Sequence, residues 1–98
     1  DDSSLVFTVS IPDWGVTPFA EGRDRDRIGK EIDTYNTAAR EISQQRGVRF
    51  FYITDISREA AADESLLAGD RLHPSGKMYR LWVRRIAGEV ADMLRRSR

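Results

Sequence analysis

The residue of this sequence best suited to acid–base chemistry is its single histidine, His73. It stands in the segment Gly-Asp-Arg-Leu-His-Pro-Ser-Gly (69–76), three residues after Asp70. An aspartate at that distance can accept the Nδ1 proton of the imidazole, which leaves Nε2 free as a base and stabilises the imidazolium. The spacing is equally compatible with a capping pair at a helix N-terminus or with two solvated loop residues, so both interpretations stay open at this point.

Metal and thiol chemistry have little support in the sequence. With one histidine and no cysteine, a metal site would consist mostly of carboxylates, and no group of Asp and Glu has a recognised ligand spacing. The absence of cysteine also excludes disulfides and a cysteine nucleophile, and it is compatible with a reducing or an oxidising compartment. We therefore expect neither a metal ion nor a cofactor.

Composition limits the size of the fold and the classes of partner. A chain of 98 residues with 40% apolar and 33% charged side chains is typical of one small globular domain. Sixteen acidic and sixteen basic residues balance, so no overall field favours a nucleic acid as partner. No apolar run approaches the roughly 20 residues that span a bilayer, and we expect no membrane span.

The first half of the chain predicts a strand, a loop and a helix. Residues 5–11 (Leu-Val-Phe-Thr-Val-Ser-Ile) are rich in β-branched and aromatic side chains and predict a buried strand that ends at Pro12. Two prolines and two glycines make residues 12–23 a loop. A helix is predicted over residues 24–46, with Gly47 as its C-terminal cap. Its apolar stripe consists of Ile28, Ile32, Tyr35, Ala39 and Ile42.

The second half predicts another strand and another helix. Residues 48–53 or slightly beyond form the strand, and residues 57–74 are irregular with a short helical turn around residues 59–63. Ser75 can cap a last helix that runs to about Leu94. One face of that helix carries Tyr79, Trp82, Ile86, Val90 and Leu94.

This order of elements predicts an α/β fold of the β-α-β-α type. A strand, a helix and a second strand of these lengths imply two parallel strands joined by a crossover. His73 follows the second strand, and the loops beyond the carboxyl ends of parallel strands are where catalytic groups gather. Two strands are few for a layered sheet, because buried parallel strands need cover on both faces.

Segment 69–76 and the helix after it resemble the last conserved block of the SGNH (GDSL-type) serine ester hydrolases. In that block an Asp-x-x-His-Pro segment supplies two members of the catalytic triad. Residues 6–18 look like the family's fourth strand and the loop beyond it, and the helix with Tyr35-Asn36 and the strand ending near Asp55 match in order. The resemblance implies that residues 1–98 are the C-terminal half of one flavodoxin-like, three-layer SGNH domain, supplying two adjacent strands of the order 2-1-3-4-5.

The resemblance also implies roles for individual residues. His73 would be the general base toward a serine and the acid toward the leaving alcohol, and Asp70 its orienting partner. Asp13, Trp14 and Phe19 in the loop after the first strand would border an acyl or alcohol pocket, although Trp14 can equally pack that loop onto its own sheet.

Three further residues are expected to be structural. The helical spacing of Tyr79 and Trp82 places both in the core. Asn36 lies near the middle of the long helix, which favours a packing or surface role over that of an oxyanion donor.

The nucleophile of the family has no counterpart in this chain. Members carry a Gly-Asp-Ser segment, whereas Gly69-Asp70 is followed by Arg71, and none of Ser10, Ser57, Ser65 and Ser75 has a comparable context. We therefore expect a fragment that begins inside a larger domain and is inactive toward its small ester substrate by itself. Its partner would be the missing N-terminal half or a second copy of the chain. The alternative is a non-catalytic α/β protein-association module in which Asp70 and His73 cap the last helix.

Overall fold

A computed structural model describes residues 6–96, in which two short strands and three α-helices alternate. The elements are β1 (Phe7–Val9), α1 (Arg25–Gln45), β2 (Arg49–Phe51), α2 (Thr54–Arg58) and α3 (Gly76–Arg96). Single turns of 3₁₀ helix lie at Trp14–Val16, Pro18–Ala20, Glu59–Ala61 and Glu64–Leu66. The predicted α/β class is confirmed in this coarse form: the fold is mixed, mostly helical, and has two parallel strands. Leu5, the predicted first strand residue, lies outside the described residues.

The two strands pair in parallel, as predicted. Phe7 is in register with Arg49, and Val9 with Phe51. Within residues 6–96, β2 is the only partner of β1, so the other edge of β1 is open. The prediction that the first strand is buried is wrong for β1, whose three residues are all exposed. The physical reason is that α1 packs mainly against β2, which leaves the faces of β1 with little cover.

The bounds of α1 follow from its end signals. The carboxylate of Asp24 accepts the N–H of Arg27 at 3.1 Å and caps the first turn. At the other end Gly47 adopts φ +69°, and the N–H of Val48 donates to the carbonyl of Ser43 at 2.8 Å. This is the Schellman arrangement that a glycine after the last turn favours. The predicted helix and its C-terminal glycine are confirmed.

The apolar stripe predicted for α1 is buried only in part. Ile32 is buried, but Tyr35 and Ile42 are exposed. The face of α1 that packs against the strands and the loop after β1 instead buries the polar residues Asn36 and Ser43. Both side chains make hydrogen bonds to the segment around β1. These bonds explain why polar residues are buried on a helix face where helical periodicity predicts apolar ones.

The chain leaves β2 earlier than predicted and enters α2 at Thr54. The hydroxyl of Ser10 accepts the N–H groups of Ile53 at 2.7 Å and of Thr54 at 3.1 Å. These bonds use backbone donors that a longer strand would offer to its neighbour. The helical turn predicted around residues 59–63 is therefore the end of a helical segment that begins five residues earlier.

A small apolar cluster joins α2, the 3₁₀ turn Glu64–Leu66 and the start of α3. The buried members of this cluster are Ile56, Ala60, Leu66 and Met78, and Val16, Leu67, Leu81 and Trp82 pack against them.

The N-terminus of α3 is capped as predicted, with the hydroxyl of Ser75 accepting the N–H of Met78 at 3.3 Å.

The apolar face of α3, which carries Tyr79, Trp82 and Leu94, is less buried than its helical periodicity predicts. Trp82 packs against the cluster, as expected. Tyr79 does not belong to the core, because the residue is 51% exposed, although its ring packs edge to face with that of Trp82. Leu94 is also exposed. Over residues 6–96, no helix has the length and apolar character needed to cross a membrane.

Candidate functional site

The loop that carries His73 is closed at its base by backbone pairing. Leu67 and Pro74 form an antiparallel bridge, and the N–H of Ser75 donates to the carbonyl of Leu66 at 2.9 Å. Leu66 belongs to the buried cluster below the loop. The chain between these pairs is therefore held at both ends by the core of this same chain.

Within that loop one carboxylate binds both a backbone turn and the imidazole ring. Oδ1 of Asp70 accepts the N–H groups of Leu72 and of His73, each at 3.0 Å. Oδ2 of Asp70 lies 2.5 Å from Nδ1 of His73. The contact predicted from the three-residue spacing is confirmed.

These contacts define the ionisation of Asp70 and the tautomer of a neutral His73 ring. The hydrogen bond from His73, together with the N–H groups of Leu72 and His73, lowers the pKa of Asp70 to about 2. An ionised carboxylate only accepts hydrogen bonds, so Nδ1 of His73 must be the donor. In the neutral ring Nε2 is then unprotonated and available as a base.

The pair is open to solvent from the outside. The side chain of His73 is 72% exposed and that of Asp70 is 49% exposed. Within residues 6–96 the Asp70 side chain is the only polar partner of the imidazole. Nε2 can therefore reach a group that approaches from outside the described chain.

The described serines are engaged elsewhere, and none is hydrogen-bonded to the imidazole of His73. Two of them, Ser10 and Ser57, are buried in the hydrogen-bond network between the strands and α2. Ser65 donates to Asp63 at 2.6 Å, and Ser75 caps α3. Within residues 6–96, no serine hydroxyl thus lies at hydrogen-bond distance from the imidazole of His73.

Asp13, predicted to border a substrate pocket, makes hydrogen bonds and an ion pair to other residues of this chain. Its side chain is 5% exposed, and Oδ2 lies 2.9 Å from Nε of Arg58. Oδ1 accepts the N–H of Gly15, and the backbone N–H of Asp13 donates to Ser57. Hydrogen bonds from Arg58 to Asp33 and then to Asp13 raise the pKa of the guanidinium. Asp13 therefore anchors the loop after β1 to α2.

The other two predicted pocket residues form an aromatic pair on the same loop. The rings of Trp14 and Phe19 meet edge to face with centroids 6.2 Å apart, and the guanidinium of Arg23 lies 5.8 and 5.5 Å from them. Phe19 is exposed and Trp14 partly so. No hydrogen bond or ring contact joins this pair to His73.

An open groove of about 870 Å³ lies between the loop after β1, α1 and the turns after α2. Arg71, two residues before His73, lines it together with Gly15 and Pro18. The loop that carries Asp70 and His73 thus lies beside the loop 12–23, as predicted. Asp70 and His73 themselves do not line the groove. The groove's other charged lining residues are Asp13, Glu21, Arg25, Asp26, Lys30, Asp33, Arg58 and Glu64.

Asn36 has the packing role that its position predicted. Its Oδ1 accepts the N–H of Ile11 at 2.9 Å, and its Nδ2 donates to Oγ1 of Thr54 at 2.8 Å. The Thr54 hydroxyl also contacts Ser10. Ser10 and Thr54 were not predicted to belong to this network, and the signal for them was a hydroxyl residue near the end of each predicted strand.

Residues 6–96 contain no group of three or more His, Cys, Asp or Glu side chains arranged to hold a metal ion. No protein family, curated protein or solved structure matches the chain.

Proposed function

We propose that the chain is part of a serine ester hydrolase domain of the SGNH type, in which His73 is the general base and Asp70 its orienting partner. The observation that carries the proposal is the 2.5 Å contact between Asp70 Oδ2 and His73 Nδ1, which leaves Nε2 exposed. The place of these two residues in the chain adds support, because the loop that carries them follows the second of two parallel strands and precedes a long helix.

In the proposed reaction the nucleophile is a serine from outside the described residues. Nε2 of His73 takes the hydroxyl proton while the serine oxygen attacks the carbonyl carbon of a small carboxylic ester. The imidazolium then gives that proton to the leaving alcohol as the ester C–O bond breaks, and an acyl-serine forms. A water molecule, deprotonated by the same Nε2, releases the acid and restores the serine. No cofactor takes part.

Asp70 contributes without changing its own protonation state. Its carboxylate, with a pKa of about 2, stays ionised and accepts a hydrogen bond from the Nδ1–H group throughout the cycle. It also stabilises the imidazolium that forms after each proton transfer. The backbone N–H groups of Leu72 and His73 hold the carboxylate itself in place.

A serine-directed probe tests this proposal on the complete protein that the gene encodes. A fluorophosphonate should label one serine in a Gly-Asp-Ser segment outside this chain, and mass spectrometry of the digest should locate it. His73→Ala should suppress the labelling, since the serine loses its base. Equal labelling of both proteins, or none of either, would contradict the proposal.

A second candidate function is a non-catalytic protein-association module. The observation in its favour is the open edge of β1, where Phe7 and Val9 are exposed apolar residues. Under the hydrolase proposal this edge binds the remaining half of the domain or a second copy of the chain. A gene without an upstream Gly-Asp-Ser segment would favour the association module.

A further inference from the structure

The turn between Asp70 and His73 depends on an unusual backbone conformation at Arg71. Its φ is +60°, and it is the only non-glycine residue with a positive φ within residues 6–96. Left-handed backbone is unfavourable for residues with a Cβ, most of all for β-branched ones. A conformation of this kind persists only where the surrounding structure requires it.

We propose that Arg71 is a positioning residue for His73, acting through its backbone and not through its guanidinium. The left-handed turn at Arg71 bends the chain back so that the N–H groups of Leu72 and His73 both meet Oδ1 of Asp70. The imidazole then arrives at the other oxygen of the same carboxylate. The inference rests on the proposed function, since it explains how the base is held ready.

The side chain of Arg71 gives no competing explanation. It makes no hydrogen bond or ion pair within residues 6–96, and Arg71 is one of the residues that line the groove. The base of the loop fixes the backbone of His73, whose carbonyl accepts the N–H of Ala68 at 2.7 Å, but it does not orient the ring toward the carboxylate. What sets the ring against the carboxylate is the turn itself.

The test uses ¹⁵N NMR of the 98-residue chain, in which His73 is the only histidine and needs no assignment. The shifts of the ring nitrogens show which nitrogen carries the proton. In the unaltered chain, and in Arg71→Gly and Arg71→Asn, the proton should be on Nδ1, because both replacements adopt left-handed backbone readily. In Arg71→Val the population of His73 rings that are hydrogen-bonded to Asp70, relative to the population of free rings, should fall about tenfold. This change corresponds to about 1.4 kcal/mol.

A control separates the turn from the general effect of a branched side chain. Leu72→Val adds the same branching at the next residue, which has no positive φ, and should keep the proton on Nδ1. If Arg71→Val loses its dispersed amide spectrum, Arg71→Ala takes its place, with a smaller expected fall because alanine is not branched.

Two results would overturn the inference: an unchanged Nδ1 proton in both the valine and the alanine variants, or its loss in Arg71→Gly, which would assign the effect to the side chain. The measurement requires no nucleophile and no activity. A failure of the labelling test with a normal NMR result would therefore remove the proposed function and leave the positioning role intact.

Discussion

Oδ2 of Asp70 lies 2.5 Å from Nδ1 of His73, while Oδ1 of the same carboxylate accepts the backbone N–H of His73. Aspartate and histidine thus share a loop whose contacts are all local. Because the base of that loop is fixed to the core of this chain, the pair is formed without help from any residue outside it. Under the proposed function, residues outside this chain would supply the nucleophile and the groups that stabilise the oxyanion.

Removing the imidazole should abolish catalysis in the complete protein. His73→Ala is expected to lower kcat on a p-nitrophenyl ester by several orders of magnitude, because a nucleophile and its base act as one unit. Folding should be largely unchanged, since the ring is exposed. Arg84→Ala, an exposed change on α3, is the matched control. A loss below about tenfold, or about 1.4 kcal/mol in the barrier, would exclude His73 from the chemistry.

Replacing the carboxylate by an amide should separate orientation from loop structure. In Asp70→Asn the amide oxygen can still accept the N–H groups of Leu72 and His73, so the loop should persist. The amide NH₂ group cannot accept the Nδ1 proton, and His73 is then driven to the wrong tautomer. We expect kcat to fall by roughly 10³–10⁴-fold with little change in the amide NMR spectrum. Near-normal turnover in this variant would show that Asp70 does not orient the base.

Acid should open the loop at a low and defined pH. The pKa of Asp70 is lowered from 3.8 to about 2 by contacts that exist only in the folded loop. A group whose pKa is lowered by folding contributes stability above its ordinary value, and that contribution is lost as the pH falls toward the lowered one. The amide shifts of Leu72 and His73 should therefore change between about pH 4 and 2. Asp70→Asn should lack this transition, and a midpoint at the ordinary value would contradict the proposed cause.

The sequence predicted this fold best where the determining signals are local. Helix α1 has its Asp24 cap and its glycine end, and Asp70 and His73 are three residues apart, so neighbouring residues decided both outcomes. Burial was predicted less well, because Phe7 and Tyr79 have apolar side chains whose cover depends on distant elements.

Local periodicity also gave no indication of the polar network beneath the loop after β1. Ser10, Asn36 and Thr54 are 18 to 44 residues apart in the sequence, and only the parallel pairing of the strands brings them together. The early end of β2 follows from that network. For the same reason the ion pair of the buried Asp13 with the half-buried Arg58 was not foreseen: its partners are separated by 45 residues.

That ion pair should matter for stability more than its exposed neighbour. Asp13→Ala removes a buried carboxylate that binds Arg58 and the N–H of Gly15, and we expect the free energy of unfolding to fall by about 2–3 kcal/mol. Asp33→Ala breaks the other contact of the same guanidinium, but Asp33 is largely exposed, so the loss should stay below about 1 kcal/mol. Urea unfolding of the two variants measures the difference, and equal losses would contradict an anchoring role for Asp13.

The open edge of β1 should make the isolated chain associate. Within residues 6–96 only one side of this strand is paired, and Phe7 and Val9 add exposed apolar surface beside the unpaired backbone groups. An edge of this kind is a template for another strand, and a two-fold axis lets the same strand of two copies pair with itself. Light scattering should therefore give a mass above the 11.2 kDa of one chain. Val9→Lys places a charge on the edge and should shift the population toward the monomer, whereas Ile42→Lys, an equally exposed change on α1, should not. A stable, folded monomer of the unaltered chain would refute the prediction.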